Sequence, residues 1–414
     1  MRNTTERPQG LGLLLAIAYL GFISLGLPDP VAGVAWPSIR DVFKLHQSDF
    51  GLIFIGLGAG YCVSAFFGGR LTELLGLGNL LWISSALVAG AMLACGGAPA
   101  WGLIVGAAIV WGLGSGGIDA GLNTYVASHF SARHMNWLHA CYSVGATLGP
   151  LLMTAMIVRL GSWRGGYYVV GGVLAAMAVL FLATRRRWDE PLPTNSGEPV
   201  MSGAGAAGEV AGAGPAVGIR SVLASGLVWL QIALFFLYVG LEFTVGQWAF
   251  TLLTEGRSVG EELAGALAGG YYAAIGVGRI ASGVVAPRVG LDRLLRWTML
   301  VALGGSLMYW LGGSVAVGGF QLGNVGLLVV GLGLAPVFPC LMARTPERLG
   351  KEFAAHAVGF QVSGSMIGAA LVPTAAGLLV ERVGLESVGP FCTVLAVLLF
   401  AVHEWLLVAG RPRS

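Results

Sequence analysis

Twelve apolar runs, each about long enough to cross a bilayer, leave this chain few folds to choose from. They fall near 11–38, 50–70, 79–98, 101–128, 136–158, 165–184, 222–250, 264–286, 294–312, 318–342, 354–380 and 388–409. A helix needs about 20 apolar residues to cross the ~30 Å hydrocarbon layer. Inside that layer every backbone N–H and C=O must find a partner within the protein, so runs of this length imply helices. Charged residues make up only 10% of the chain, against the roughly 25% of an ordinary soluble protein, so most of the surface must face lipid. Glycine accounts for 67 of the 414 residues, which suits helices whose backbones pack closely without a hydrophobic force between them. The expected fold is an all-α membrane protein with twelve transmembrane helices in two six-helix, pseudo-symmetric halves.

The run from Leu11 lacks a small-residue cleavage site and continues past Gly26, so it reads as an uncleaved first span rather than a signal peptide. An even number of spans puts both termini on one side. With the termini inside, sixteen Lys and Arg residues fall on the cytoplasmic face and six (Arg40, Lys44, Arg159, Arg164, Arg257 and Arg382) on the other. The positive-inside rule therefore places both termini in the cytoplasm, for a multi-pass protein of the cell inner membrane. After span six, residues 185–219 run from Arg185-Arg186-Arg187 through Pro191, Pro193 and Pro199 into a Gly/Ala tract. Such a segment lacks apolar surface and reads as a flexible cytoplasmic linker between bundles at 1–184 and 220–414.

The halves repeat. Gly69 to Leu81 and Gly283 to Leu295 both read G-x6-G-L-x-x-L-L, 214 residues apart. Span five carries His139 and then Gly145-x3-Gly149; span eleven carries His356 and then Gly364-x3-Gly368. Matching landmarks in corresponding spans imply duplicated halves.

Six plus six helices, a central linker and a Gly-bounded loop after spans two and eight resemble the major facilitator superfamily, over essentially the whole chain. That family's loop reads close to G-x-L-a-D-r-x-G-r-r. Here Gly69, Leu71 and Gly76 match, Thr72-Glu73 replaces the acid–base pair, and Glu73 is the acid at hand. The second copy keeps Gly283, Arg288 and Gly290. Gly145-x3-Gly149-Pro150 is similar to the family's helix-packing motif, and Asp29 with Pro37 to its acid-to-proline pattern in span one. Three stretches are similar to the fucose/galactose/glucose–proton symporter branch: Gly112 to Asn123, Leu138 to Pro150, and Gly278-Arg279-Ile280-x2-Gly283. In that branch spans one and four each offer a membrane carboxylate, which Asp29 and Asp119 match.

Polar residues inside the spans point the same way. A carboxylate in a bilayer costs several kcal/mol unless paired, hydrated or protonated. Burial penalises its charged form, which is what a proton carrier exploits. Asp29, Asp119 and Glu242 qualify, and the repeat offset of about 214 puts Asp29 and Glu242 in nearly equivalent places. Asp119 and Asn123, four apart, share a helix face. Asp119 is expected to couple protons and Asn123 to bind substrate; the alternative is an Asp119 paired to Arg or His within the bundle. Gln247 and Trp248, near Glu242, offer an amide and an indole for sugar hydroxyls and an apolar ring face, and Gln361 is a further candidate of that kind. Arg279 either pairs with Glu242 or Asp119 or snorkels to water. His403-Glu404 is expected to snorkel, and Pro336 and Pro339 to kink span ten.

These features predict proton-coupled symport of a small polar solute, a monosaccharide, by a monomer whose partners are the solute, protons and the bilayer. Proton-driven efflux of a drug or metabolite is the alternative. A receptor on the same fold would need a longer tail than Met1–Gly10 or Gly410–Ser414. The chain has no P-loop or H-E-x-x-H, and Gly112-x-Gly114-x-x-Gly117 sits inside a span with no strand before it, so no enzyme and no cofactor are expected. Its five cysteines lie in apolar runs without C-x-x-C, which argues against zinc or a disulfide framework. The formal charge of +3 gives no ground for nucleic-acid binding.

Overall fold

A computed structural model describes residues 11–189 and 219–410, apart from 314, 318 and 319. Span one is built from α1 (Leu11–Gly26) and α2 (Val31–Phe43), and a single 3₁₀ turn, Gln47–Phe50, leads on from it. The first half continues with α3 (Gly51–Leu75), α4 (Leu77–Gly97), α5 (Trp101–His129), α6 (Ala132–Leu160) and α7 (Trp163–Trp188). The second opens with the short α8 (Ile219–Leu223), then α9 (Gly226–Thr251), α10 (Glu261–Val289) and α11 (Leu291–Leu311). A two-residue strand pair precedes span ten, which is again two helices, α12 (Leu322–Leu334) and α13 (Val337–Leu349). Spans eleven and twelve are α14 (Lys351–Val383) and α15 (Val388–Ala409).

Eleven of these spans are long and apolar enough to cross a membrane. The twelfth, α10, is 29 residues long but carries Glu261, Glu262, Arg279 and Arg288. It packs against α6, α9 and α12, so its place in the bundle comes from packing more than from apolarity. Arg185–Arg187 occupy the last turn of α7, where cations complement the helix dipole, rather than a linker. The rest of that segment, 190–218, lies outside the described residues, as do the terminal arginines and the side chain of His356.

Close glycine contacts reveal the register of the repeat. A Cβ on Gly112 would lie 2.0 Å from the Leu57 carbonyl oxygen, and one on Gly331 would lie 2.6 Å from that of Tyr271. Gly114 meets the Ser84 carbonyl at 2.5 Å and Gly333 that of Thr298 at 2.8 Å. Gly149 meets Leu27 and Gly368 meets Phe236, each carbonyl 2.3 Å from the added Cβ. Corresponding positions are thus 214 residues apart in spans two and three, 219 in spans four and five, and 209 in span one. The loops repeat too: Gly76 and Gly290 both have positive φ, 76° and 84°, which glycine adopts without steric cost.

The halves are sealed on one face. Arg40 makes a two-pronged pair with Glu255 at 2.8 and 3.0 Å, while the Gln47 side chain donates to Glu255 at 3.2 Å and its N–H to Glu381 at 2.7 Å. His46 Nδ1 lies 2.9 Å from Glu381, and Trp36 Nε1 donates to Gln47 at 2.8 Å. Beneath this layer two glycine–threonine keys cross the seam: an added Cβ would stand 2.4 Å from Thr374 at Gly51 and 1.9 Å from Thr154 at Gly265. Farther down α3 and α10 the seam widens. Gly58 meets Ala370 at 3.0 Å and Gly276 meets Ser143 at 2.9 Å, but Gly69 and Gly283 meet nothing within 4 Å. The protein is therefore closed on the face of Arg40 and open on the face of Leu11 and Ala409.

Candidate functional site

Three polar groups meet where the open cleft ends. The first is built on a break in span one. Pro28 and Pro30 bring no N–H, so the helix cannot run through them; Val31 N–H turns back to Pro28 and α2 starts afresh. Asp29 sits in this turn, half-buried. Its Oδ2 accepts the Tyr142 hydroxyl at 2.5 Å from α6, and its main-chain carbonyl accepts Gln247 Nε2 at 2.8 Å from α9. One residue is thus bound by its side chain to its own half and by its backbone to the other. Close α1–α6 packing fixes the first bond: Gly145 and Gly149 lie against the Ile23 and Leu27 carbonyls, with Pro150 following in the helix.

The second group lies on α5. Asp119 Oδ2 accepts the Tyr61 hydroxyl at 2.5 Å and Oδ1 accepts Asn123 Nδ2 at 2.9 Å. Gly112 and Gly116 let α3 approach closely enough for Tyr61 to reach. Asn123 is fully buried, so here it holds Asp119. Neither aspartate has a cation within ion-pairing distance among the described residues, and Asp29 lies within reach of the Asp119 charge.

The third group belongs to the second half. Glu242 on α9 accepts the Tyr238 hydroxyl one turn before it, and Arg279 Nη2 of α10 stands 3.8 Å from its carboxylate. The Tyr271 hydroxyl donates to the Glu242 carbonyl at 3.0 Å, and Arg279 Nε is sealed without a partner. Arg279 also lies near His139 and Tyr142 of α6, so the cation stands at the seam.

Asp29 and Glu242 are not equivalent positions. The 209-residue offset matches Asp29 to Tyr238 and Glu242 to Gly33, one helical turn away from the expected correspondence. Trp248 is fully buried under the sealed face, its Nε1 donating to the Pro373 carbonyl at 3.1 Å and its ring edge-on to Phe50 at 5.3 Å. Gln361 is also fully buried, bonded to Gln231 at 2.6 Å and Thr345 at 3.2 Å within the second half, and among the described residues no hydrogen bond joins it to the central group. His403 is wholly buried rather than snorkelling, with Glu404 turned to Arg296 at 2.7 Å. Span ten breaks at Ala335–Pro336, as its prolines implied.

The loop motif is rebuilt from other residues. Glu73 is exposed and makes no hydrogen bond or ion pair among the described residues, Arg288 bonds only the Val284 carbonyl of its own helix at 3.2 Å, and Gly69 and Gly283 face open space. Instead Asp189, at the end of α7, accepts the Leu77 N–H at 2.7 Å and caps α4. In the second loop Asp292 holds Arg344 at 2.5 Å and Arg348 at 2.8 Å from α13. Tyr61, Tyr142, Tyr238, Asp189 and Asp292 were not singled out in the sequence. For Tyr142 a signal exists: it stands three residues before Gly145, on the same face of α6.

A family model described as Major Facilitator Superfamily matches residues 11–373. Uncharacterized transporter y4wD of Sinorhizobium fredii is 27% identical, over 87% of this chain and 91% of that one. Bypass of stop codon protein 6 of Saccharomyces cerevisiae is 23% identical, over 93% and 80%. Efflux pump DEP3 of Fusarium langsethiae is 24% identical over 43% of this chain and 34% of its own. Among solved structures, a bacterial homolog to the human lysosomal transporter Spinster, inward-facing and occupied, superposes with a TM-score of 0.70 at 13% identity, covering 97% and 98%. FucP in the outward conformation superposes with a TM-score of 0.61 at 15% identity, covering 95% and 98%.

Proposed function

Because this chain belongs to the Major Facilitator Superfamily, we propose that it carries a small polar solute, a monosaccharide, together with protons by alternating access. One observation carries this reading: two central carboxylates in the first half are held by tyrosine hydroxyls with no cation beside them among the described residues. An ionised pair so placed is costly, and a proton relieves it. The surrounding hydroxyls, carboxylates and guanidinium suit a cargo with several hydroxyl groups. The open face, with Arg185–Arg187, Arg293, Arg296, Arg344 and Arg348, is the cytoplasmic one, which makes this conformation inward-facing in the cell inner membrane.

Internal pH in proteoliposomes, followed as a panel of monosaccharides is added outside, tests the proposal. Sugar-evoked acidification that Asp29→Asn abolishes is the expected result. Silence toward every sugar, with a pH response to hydrophobic cations, would favour proton-driven efflux, the reading that the partial match to a protein named an efflux pump supports.

A further inference from the structure

The two seams between the halves are not alike. Along one, α3 packs against α14; along the other, α6 packs against α10. On the first side a cavity of about 200 Å³ lies between Gly58, Cys62, Met366 and Ala370, and its walls are apolar. On the second a cavity of about 230 Å³ opens toward the sealed face, and its walls change character along their length. Leu151, Ala155 and Val158 of α6 make an apolar floor, with Ala266 of α10 opposite. Arg159, in the last turn of α6, and Glu262, in the first turn of α10, stand at the rim. Both are exposed, and among the described residues neither makes a hydrogen bond or an ion pair, even with the other. Offsets of 219 and 214 residues match them to Leu378 and Ser48, so this pair of charges has no copy in the other seam.

We propose that this groove holds one phosphatidylethanolamine from the leaflet on the sealed face, its phosphate on Arg159, its ammonium on Glu262 and an acyl chain along the floor. Two opposite charges that line one groove without pairing fit a headgroup that carries both signs. The guanidinium fork matches phosphate oxygens, and a primary ammonium has three N–H groups to offer a carboxylate. The quaternary ammonium of phosphatidylcholine has none. Phosphatidylglycerol brings a net negative charge to Glu262, beside which stands Glu261. The floor calls for a lipid rather than a free headgroup: Leu151, Ala155 and Val158 share one face of α6 and run for about 10 Å along it. The site is also tied to conformation. Thr154, on the same wall, is the residue that fills the space over Gly265, and its Oγ1 is sealed without a hydrogen-bond partner. Opening the sealed face must draw α6 from α10 at this key, which parts Arg159 from Glu262. A lipid that bridges them binds the closed arrangement better and so favours it.

Native mass spectrometry of the full chain, delipidated in detergent and titrated with dioleoyl phospholipids, tests this without any cargo. The expected result is one phosphatidylethanolamine bound about threefold more tightly than phosphatidylcholine or phosphatidylglycerol, the scale of one exposed ion pair. Arg159→Gln and Glu262→Gln should each remove that preference and leave the thermal midpoint where it was. Arg382→Gln, at an exposed position of α14 on the same face, should leave the preference intact. Equal binding of the three headgroups, or a preference that survives the double substitution, would overturn the proposal. Vesicles give a second readout, alkylation of Ala376→Cys in a chain without its native cysteines. Labelling of this buried position should be slower in phosphatidylethanolamine than in phosphatidylcholine, and the difference should vanish with Arg159 and Glu262 both replaced. A difference that persists there would place the lipid elsewhere and equally overturn the proposal.

Discussion

The two halves share a backbone register and differ in charge. Where the first half has Asp29, the second has Tyr238; where the first has Asp119, the second has Phe338. The second half's Glu242 and Arg279 correspond to Gly33 and Ala65. Among the described residues, one half therefore presents two carboxylates without a cation, and the other a carboxylate with one. The difference teaches that duplication preserved the packing, through glycines at 214- and 219-residue spacing, and left the chemistry free to diverge. The proposed proton coupling would draw on this asymmetry, because an acid permanently matched by an arginine has no use for a proton.

Charge removal should therefore hurt the halves unequally. Arg279→Met leaves Glu242 uncompensated and is expected to destabilise by roughly 3 kcal/mol, with Glu242→Leu in the same chain restoring much of the loss. Asp29→Asn should shift the thermal midpoint in detergent far less; equal shifts would erase the contrast. Next come the keys at the sealed face. Gly265→Ala forces a methyl against Thr154 and should cost the closed arrangement about 2 kcal/mol. Alkylation of a cysteine at the buried Ala376, in a background without the native cysteines, would report the opening. The matching Gly51→Ala tests whether both halves bear the seam equally. A smaller effect, about 1 kcal/mol, is expected of Tyr142→Phe and Tyr238→Phe, each losing one hydrogen bond. Only the former should alter the coupling of transport to protons. Smallest is Glu255→Gln, an exposed pair worth about 0.5 kcal/mol, whose effect on the same alkylation should fade at high salt.

Much of the fold was legible because its signals are local. Apolar length marked the spans, and Gly145-x3-Gly149 with Gly364-x3-Gly368 marked the repeat, since a close backbone approach demands small residues wherever it occurs. The register of span one was not legible, because spans and loops of unequal length separate the landmarks and only contacts show that its offset is 209. Within the site, Asp29 and Asp119 stood out as charges in apolar runs, but their tyrosines did not: a hydroxyl in a membrane helix looks ordinary until its partner on another helix is known. Trp248 and Gln361 show the reverse. Buried residues cover much of α9, so polarity alone could not separate positions on the cleft from positions in the seam.

The bond from Gln247 to the carbonyl of Asp29 carries one more consequence. An acceptor on the main chain belongs to no side chain, so replacing Asp29 with any residue that tolerates the turn leaves this tie in place. Mutation can reach it only through Gln247 or through the prolines that aim the carbonyl. The Asp29 side chain can thus be exchanged to test its chemistry while the strut that joins the two halves stays in place.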